Sequence, residues 1–256
     1  MGQFQPLQLE QLSWTEAKDL LELRPVGILP VGAIEAHGPH LPLNSDVIIA
    51  QGMARYGARA LYDSGLPAIV LPPISYSVSF AGACFSGTTP VGPDAFGLHL
   101  TAVLTSHARQ GYRAICIANA HLEPAHIEAL NTSLEKANAE VDIPMAFPDQ
   151  REELWASRLS DEFRRGARHA GCYETSIILA EAPELVRRQQ LEELEPVWID
   201  LPAALAAGAT NFAEAGAEHG YFGDPRAASP EHGVGLLTTL GMMIRESVLE
   251  SLASDV

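Results

Sequence analysis

The sequence predicts an α/β protein, a three-layer α/β/α sandwich with a mostly parallel central sheet. Several short runs of apolar, β-branched residues are nearly continuous in hydrophobicity, which is typical of strands that are covered on both faces. Longer segments with helical signals separate these runs, and strands that alternate with helices form largely parallel sheets. We expect the 256 residues to form a single domain over residues 1–256.

Four apolar runs are predicted as strands. They cover residues 26–31, 68–71, 114–118 and 143–147. In open parallel sheets, ligands bind beyond the carboxyl ends of the strands. The residues that follow each run are therefore the candidates for a functional site.

The segments between the strands have helical start and stop signals. Ser45 is placed to cap a helix, Pro93 suits a first helical turn, and Gly111 suits a helix end. The charged segment 148–171 has helical character and is expected to form a flap or an interface. The predicted helices cover residues 46–62, 92–111, 124–140 and 231–253.

The composition indicates a globular protein with an acidic surface. Hydrophobic residues make up 47% of the chain and charged residues 19%, which allows a sizeable core. The formal net charge of -16 repels phosphate backbones and anionic lipid, so we expect neither a nucleic-acid partner nor a membrane surface. Residues 1–12 lack a signal-peptide pattern, and no apolar run reaches the roughly 20 residues of a spanning helix. A cytoplasmic protein is expected.

The cysteines give no sign of a disulfide framework. The chain has three, Cys84, Cys116 and Cys172, and no two of them form a Cys-x-x-Cys pair. A cysteine zinc site is not expected either. Cys116 lies in an apolar run, so buried packing is its expected role.

Two pairs of imidazole and carboxylate follow predicted strands. Glu35 and His37 lie two residues apart after the first strand, and His121 and Glu123 repeat this spacing after the third. In an extended segment, residues i and i+2 point the same way, so each pair can face one site. Asp46, at the start of a predicted helix, adds another carboxylate. Imidazole with carboxylate is the ligand chemistry of zinc, manganese or iron(II).

The number of candidate ligands indicates two ions. Two histidines and three carboxylates exceed the three protein ligands that one catalytic zinc usually takes. They suit two metal ions about 3.5–4 Å apart that share a carboxylate and a water. We expect Asp46 to be the bridge, because a carboxylate can use both oxygens. From these residues alone, a chance arrangement of common loop residues is the competing interpretation.

Longer motifs around these residues resemble the creatininase (creatinine amidohydrolase) family. The run from Val31 to Leu43, followed by Asp46, resembles the family signature, and residues 169–176 are similar to its His-Ala-Gly-x-x-Glu-Thr-Ser motif. The resemblance covers nearly the whole chain. Its other matching segments are 73–79, 85–88, and 223–225 with Glu231 and Gly233.

The resemblance implies a metal ligand set. Glu35 and His121 would hold one ion, and His37 and Glu123 the other. Asp46 would bridge them. The implied cofactors are two divalent metal ions per chain, with zinc as the first candidate and manganese or iron as alternatives.

The resemblance also implies catalytic and substrate-binding residues. His169 would be the catalytic histidine that protonates the leaving nitrogen, and Glu123 would assist proton movement as well as bind metal. Glu174 would orient groups or close the site. Ser79 lies where the family places a residue near the substrate.

The second loop departs from the family pattern. Leu122 stands where creatininases have an aromatic residue that helps to hold the substrate, and Pro124 replaces an asparagine. Trp155 is a candidate for a substitute aromatic wall. The metal site is therefore expected to be kept while the substrate pocket is altered.

The implied activity is that of a dinuclear, creatininase-like amidohydrolase for non-peptide C–N bonds. It would cleave a cyclic amide, a lactam or a formamide through a metal-bound hydroxide. The substrate would be a small molecule, and the family assembles as homohexamers, so a homo-oligomer is expected.

Other functions stay open on the same scaffold. They include a formamide deformylase, an inositol-ring hydrolase and a peptide-maturation hydrolase. An anionic substrate is favoured if Arg164, Arg165 and Arg168 face the pocket. A non-catalytic metal-binding assembly protein is the alternative from another class, against which the retention of every ligand type and of His169 argues.

Overall fold

The centre of the protein is a four-stranded parallel sheet. The computed structural model describes residues 6–199, 201, 204 and 207–254. The strands are β1 (Val26–Val31), β2 (Ala68–Val70), β3 (Ala114–Asn119) and β4 (Met145–Ala146). Their order across the sheet is β2-β1-β3-β4, and each neighbouring pair is parallel.

Helices make up most of the remaining described chain. Within the described ranges, no helix is both long and apolar enough to cross a bilayer. The short 3-10 turns are Leu9–Gln11, Pro183–Leu185 and Pro225–Ala227. The α-helices are α1 (Trp14–Leu21), α2 (Ser45–Asp63), α3 (Pro93–Ala108), α4 (Pro124–Glu140), α5 (Glu153–Ala156), α6 (Asp161–Arg164), α7 (Cys172–Glu181), α8 (Arg188–Glu193) and α9 (Pro230–Ser254).

Helices cover both faces of the sheet. On one face, Ile28 and Cys116 belong to a core shared with α2, α7 and α9. On the other face, Leu29 and Ile117 belong to a core shared with α3 and α4. Successive side chains of a strand point to opposite faces, so every residue of β1 and β3 is buried. The predicted three-layer α/β/α fold is confirmed.

The start of α2 differs from the sequence prediction. Ser45 does not cap α2 from outside. The helix begins at Ser45, whose hydroxyl donates to the carbonyl of Pro42 at 2.7 Å. The N-cap position belongs to Asn44, which makes no side-chain capping bond. The serine hydroxyl closes the preceding turn instead of satisfying a helix N–H.

The segment 148–171 contains two short helices, α5 and α6. Ser160 caps α6 by accepting a hydrogen bond from the backbone N–H of Phe163 at 3.2 Å.

Three helices, α1, α7 and α8, were not predicted from the sequence. For α1 the signal is present in the sequence, because Ser13 and Glu16 form a capping box. Most of α7 is buried, so it lacks the one-sided apolar pattern of a surface helix.

The register of the sheet places the two predicted site loops side by side. Val31 at the end of β1 lies opposite Asn119 at the end of β3. The first loop also approaches α2 closely, because a Cβ at Gly32 would lie 2.7 Å from the backbone between Asp46 and Val47. Only glycine fits there, so the chain after β1 and the start of α2 meet at the sheet edge.

The close packing of α9 on α2 can be tested at Gly241. A Cβ at this position would lie 2.7 Å from the backbone carbonyl carbon of Tyr56. We expect Gly241→Ala to lower the free energy of unfolding by about 1–3 kcal/mol, because overpacking forces the helices apart. The measurement is chemical denaturation followed by circular dichroism.

Gly235→Ala is the matched control in the same helix. Gly235 is exposed, and a Cβ there would meet nothing within 4 Å. Alanine has the higher helix propensity, so this variant should gain up to about 1 kcal/mol. Equal effects at the two positions would contradict the close packing of α2 and α9.

Candidate metal centre

The carboxyl ends of β1 and β3 support a buried cluster of imidazoles and carboxylates. Three overlapping groups can each offer ligand atoms that lie within 4.8 Å of one another. Asp46 belongs to two of the groups, and all members are buried. The groups are Glu35 with Asp46 and His121; His37 with Asp46 and Glu174; and Glu35 with His37 and His169.

Asp46 lies between two imidazoles. Its Oδ1 is 3.1 Å from Nε2 of His37, and its Oδ2 is 3.1 Å from Nδ1 of His121. Each carboxylate oxygen therefore faces a different histidine. This is the arrangement that a bridging carboxylate requires, because one oxygen is directed to each half of the site.

A backbone carbonyl determines the tautomer of His121. Its Nε2 lies 2.7 Å from the carbonyl oxygen of Val78, which can only accept, so Nε2 has the hydrogen. Nδ1 then points at the carboxylates, with Oε1 of Glu35 at 3.1 Å, and it is the nitrogen that loses its proton when a metal binds. A ligating histidine usually has its other nitrogen bonded in this way.

His37 follows the same pattern with its nitrogens exchanged. Its Nδ1 lies 3.2 Å from the carbonyl oxygen of Glu35 and donates to it. Its Nε2 therefore faces Asp46 and Oε2 of Glu174, which is 3.5 Å away, and it can offer a lone pair there once its proton is lost. The backbone carbonyl of Glu35 thus orients the ring of His37, and both residues belong to the predicted signature.

His169 is the third histidine held by a carbonyl. Its Nε2 donates to the carbonyl of Ala36 at 2.8 Å, and its Nδ1 lies 3.6 Å from Oε1 of Glu35. The ring lies between those of His37 and Phe212, with centroid distances of 4.3 and 4.5 Å. The unprotonated Nδ1 is therefore held at the edge of the cluster.

The structure pairs His37 with a different carboxylate from the one that the sequence predicts. Glu123 was expected beside His37, but its Oε2 lies 4.0 Å from Nε2 of His121. That nitrogen points away from the cluster, so Glu123 lies on the far side of the ring. Oε2 of Glu123 accepts the N–H of Ala81 at 3.0 Å. The carboxylate near His37 is that of Glu174, for which a weaker orienting role was expected.

The backbone before α7 holds Glu174 in place. Oε2 of Glu174 accepts the N–H of Ala170 at 2.5 Å. Ala170 has a φ of 53°, a left-handed conformation that non-glycine residues rarely adopt. Strained residues of this kind cluster at functional sites. The strain here turns an N–H toward a buried carboxylate.

The predicted substrate-binding residues have other contacts. The hydroxyl of Ser79, which is fully buried, donates to Oε2 of Glu35 at 2.5 Å. Leu122 and Trp155 pack in the core on the α2 face of the sheet, and Trp155 has the guanidinium of Arg158 at 4.9 Å from its ring. Ser79 therefore orients a candidate ligand, and the two other side chains contribute to the core.

A network of polar side chains supports the loop of His121. Asn119 donates to the carbonyl of His121 at 2.6 Å and accepts from Nε2 of His126 at 2.9 Å. Gln150 donates to the carbonyl of Asn119 at 2.7 Å and accepts from the hydroxyl of Tyr173 at 2.9 Å. The sequence analysis missed Gln150 and Tyr173, because neither lies in a pattern with ligand spacing.

Two of the three arginines before His169 have local partners. Arg164 forms an ion pair with Asp161 on the surface. Arg168 lies with its guanidinium 4.6 Å from the ring of Phe163 and donates to the carbonyl of that residue. These contacts give no support to an anionic substrate held by this arginine cluster.

The electrostatics of the cluster favour positive charge. Burial opposes a charged imidazole, but Asp46 and Glu174 outweigh it and raise the pKa of His37 to about 10. Glu35 and Asp46 likewise raise the pKa of His121 well above its usual value, against burial. Burial also acts on the carboxyl of Glu174, raising its pKa to about 8. The metal-free cluster therefore retains protons where cations would bind.

His169 behaves in the opposite way. Burial and the charge on His37 lower its pKa to about 4, although Glu35 partly compensates. The imidazole is therefore neutral near pH 7. Among the three histidines of the cluster, it is the one that stays free to accept a proton.

The donor set fits divalent metal ions. Oδ2 of Asp46 is buried and has no hydrogen-bond partner in the described chain. Buried carboxylates need paired charge, and here protonated imidazoles supply it, with inward N–H protons that a metal ion can replace. Nitrogen and oxygen ligands of this kind suit zinc, manganese and iron(II).

Comparison with known proteins identifies related hydrolases. The Creatininase family model, described as creatinine amidohydrolase, matches residues 10–248. The mycofactocin precursor peptide peptidase of Mycolicibacterium smegmatis is 29% identical over 233 residues, which are 87% of this chain and 83% of that protein. The creatinine amidohydrolase of Pseudomonas putida is 26% identical over 184 residues, which are 66% of this chain and 69% of that protein.

Solved creatininases share the fold. One crystal structure of creatinine amidohydrolase has a TM-score of 0.75 and 23% identity, with 96% of this chain and 97% of that chain covered. A creatininase structure described as a Mn form has a TM-score of 0.71 and 22% identity, covering 96% of this chain and 98% of that one. The three-layer sandwich found here is therefore the architecture of that fold.

Metal binding should release protons. In the metal-free protein at pH 7, His37, His121 and Glu174 hold protons that bound metal ions would displace. We expect the release of about two to three protons per chain, and an apparent metal affinity that rises with pH up to the raised pKa values. Calorimetric Zn²⁺ titrations in buffers of different ionisation enthalpy measure this number. His99 is exposed, so His99→Ala is the control and should release as many protons as the wild type. Release of less than about one proton from the wild type would contradict the charge distribution described above.

Proposed function

The chain belongs to the creatininase family, and from that premise we propose that it is a dinuclear metal-dependent hydrolase that cleaves an amide C–N bond. One observation carries the proposal. His37, His121 and His169 each donate one ring N–H to a backbone carbonyl and turn the other nitrogen toward buried carboxylates. Such fixed lone pairs are what metal ligation and proton transfer need.

The proposed ligand sets follow the geometry. Glu35, Asp46 and His121 would hold one divalent ion, and His37, Asp46 and Glu174 the other. Zinc is the first candidate, with manganese or iron as alternatives. When bound, the ions would supply an activated water and polarise the substrate carbonyl.

His169 is proposed as the group that moves the proton. Its Nε2 hydrogen stays on the carbonyl of Ala36, so Nδ1 is the atom that accepts a proton from the nucleophile and returns it to the leaving nitrogen. Burial and His37 keep this ring neutral before reaction. The rings of His37 and Phe212 restrict its rotation.

Glu123 is proposed to act beside the ligands. Burial raises the pKa of its carboxyl, and its Oε2 is held by the N–H of Ala81. It would position the segment that includes Val78 and Ser79, whose polar groups contact His121 and Glu35. Assistance in proton movement, as the family resemblance implies, is retained as part of this proposal.

The first candidate substrate is a small cyclic amide, lactam or formamide. The family membership and the creatinine amidohydrolase relative support this candidate. Leu122 packs in the core and offers no aromatic surface to a ring. We therefore propose the type of bond that is cleaved, an amide C–N bond, and no particular ring around it.

The second candidate is a peptide C–N bond. It is favoured because a relative that is 29% identical over 87% of this chain is a precursor peptide peptidase. The two candidates need the same metal centre and differ only in the group beside the scissile bond. A panel of lactams, formamides, creatinine and short peptides, assayed with the metal-loaded protein, decides between them.

Self-association and a cytoplasmic location complete the proposal. Trp14 is 78% exposed and Leu98 is 74% exposed, and large apolar side chains with such exposure are common at subunit contacts. A homohexamer is the state that the family resemblance implies. Sedimentation analysis of the purified protein measures it.

Asp46→Ala should remove both metal ions. Asp46 belongs to both proposed ligand sets, so its loss leaves two ligands for each ion. We expect less than about one ion per chain after dialysis, measured by elemental analysis, together with loss of turnover. Asp94 also lies in the first turn of a helix but is exposed, so Asp94→Ala is the matched control and should keep both ions. Full metal content in Asp46→Ala would refute the bridging role.

His169→Ala should separate chemistry from metal binding. The variant removes a proton carrier and should lower kcat by about 100- to 10,000-fold while both ions stay bound. The substrate identified in the panel is used, and metal content is measured on the same samples. The exposed His99 again supplies the control, His99→Ala. Unchanged turnover in His169→Ala would remove this residue from the mechanism.

A further inference from the structure

A buried carboxylate outside the cluster joins two segments that lead into it. Glu162 lies in the short helix α6 and is 9% exposed. Its Oε2 accepts the N–H of Tyr173 at 2.8 Å, and its Oε1 accepts the N–H of Asp224 at 2.7 Å. One side chain thus connects the first turn of α7 with the segment 223–225, which has the sequence Gly-Asp-Pro and lies about 50 residues later in the chain.

Backbone N–H groups, and not a cation, surround the carboxylate of Glu162. Among the described residues, Glu162 has no ion-pair partner within salt-bridge distance, although it is buried. Its carboxylate lies at the start of α7, a ten-residue helix whose N-cap, Gly171, makes no side-chain capping bond. The N-terminal end of a helix stabilises an anion. Backbone N–H groups therefore replace the missing cation.

Two glycines allow the backbone to approach this carboxylate. Gly223 has a φ of 86°, and a Cβ there would collide with Oε1 of Glu162. A Cβ at Gly171 would collide with the carbonyl of Phe222 and would lie 2.8 Å from Oε1 of Glu162. The two segments therefore close around the carboxylate, with no room for a larger residue.

Both connected segments continue directly into the metal centre. Tyr173 immediately precedes Glu174, the carboxylate beside His37. On the other side, the N–H of Phe222 donates to the carbonyl of His169 at 2.8 Å. A shift of either segment would therefore move Glu174 or His169 relative to the ions.

We propose that Glu162 is a positioning residue for the ion held by His37, Asp46 and Glu174. This role rests on the proposed dinuclear function. A carboxylate is needed because both N–H groups require an acceptor oxygen. Glutamine offers one oxygen and would turn its NH₂ group toward the second N–H, which leaves a buried donor unpaired.

The test is the titration of the metal-free chain with Mn²⁺ by calorimetry. The wild type is expected to bind two ions. In Glu162→Gln, the affinity for one ion should fall about 10- to 100-fold, as is typical when a group that orients a ligand is removed. The other ion should bind within about threefold of the wild type, because the hydrogen bonds of Glu162 in the described chain go to Tyr173 and Asp224 and not to Glu35 or His121. Glu174→Gln provides the reference, since it removes a ligand of the same ion.

Asp161→Asn is the matched control for charge. Asp161 lies next to Glu162 in α6 but is exposed and pairs with Arg164. It should leave both affinities unchanged. If Glu162→Gln does not fold, Glu162→Asp replaces it, because it keeps the charge and withdraws the oxygens by about 1.5 Å. This variant should weaken the same ion.

Three outcomes would overturn the positioning role. Unchanged affinity for both ions would show that Glu174 is held without Glu162. Equal weakening of both ions would show a general effect of lost charge. Fewer than two ions in the wild type would overturn the dinuclear proposal itself, and the role of Glu162 with it, before any variant is compared.

Discussion

The site depends on one repeated interaction, the hydrogen bond from an imidazole N–H to a backbone carbonyl. The carbonyls of Glu35, Ala36 and Val78 each take one such bond. All three carbonyls lie in loops at the carboxyl edge of the sheet, so the parallel fold decides which nitrogen of each ring faces inward. The carboxylates alone could not do this, because they accept equally well from either nitrogen.

The charge balance of the site follows from that constraint. Lone pairs and carboxylates converge in a volume that excludes water, which is unfavourable unless cations are present. On His37 a proton can supply the positive charge, because the pKa of this ring is raised to about 10. His169 stays neutral, with a pKa of about 4. Burial lowers the pKa of both rings, and only at His37 do the neighbouring carboxylates outweigh it. His37 has Asp46 at 3.1 Å, whereas His169 is repelled by the charge on His37 and has its nearest carboxylate oxygen, from Glu35, at 3.6 Å.

The sequence predicted the fold class and most of the cluster for local reasons. β1 and β3 are continuous apolar runs because both faces are covered, and that pattern is visible without a structure. The choice between Glu123 and Glu174 was not visible. The i and i+2 rule holds for an extended chain, but Glu123 is the N-cap of α4, where the backbone turns. The location of Glu174 beside His37 depends on tertiary packing over more than 130 positions of sequence.

The contacts around the candidate metal centre divide into a rigid part and a more adaptable part. Asp46 and Glu174 lie in the packed helices α2 and α7, and the other candidate ligands lie in the buried loops that follow β1 and β3. By contrast, the ring of Phe212, which covers His169, comes from an irregular segment that is joined to the loop of Ser79 by the bond from the N–H of Phe212 to the carbonyl of Ala81 at 3.0 Å. Changes in such loops are tolerated more readily than changes at strand ends. Leu122 packs in the core on the α2 face of the sheet, so differences in what the cluster accepts are expected from such loops and not from this position.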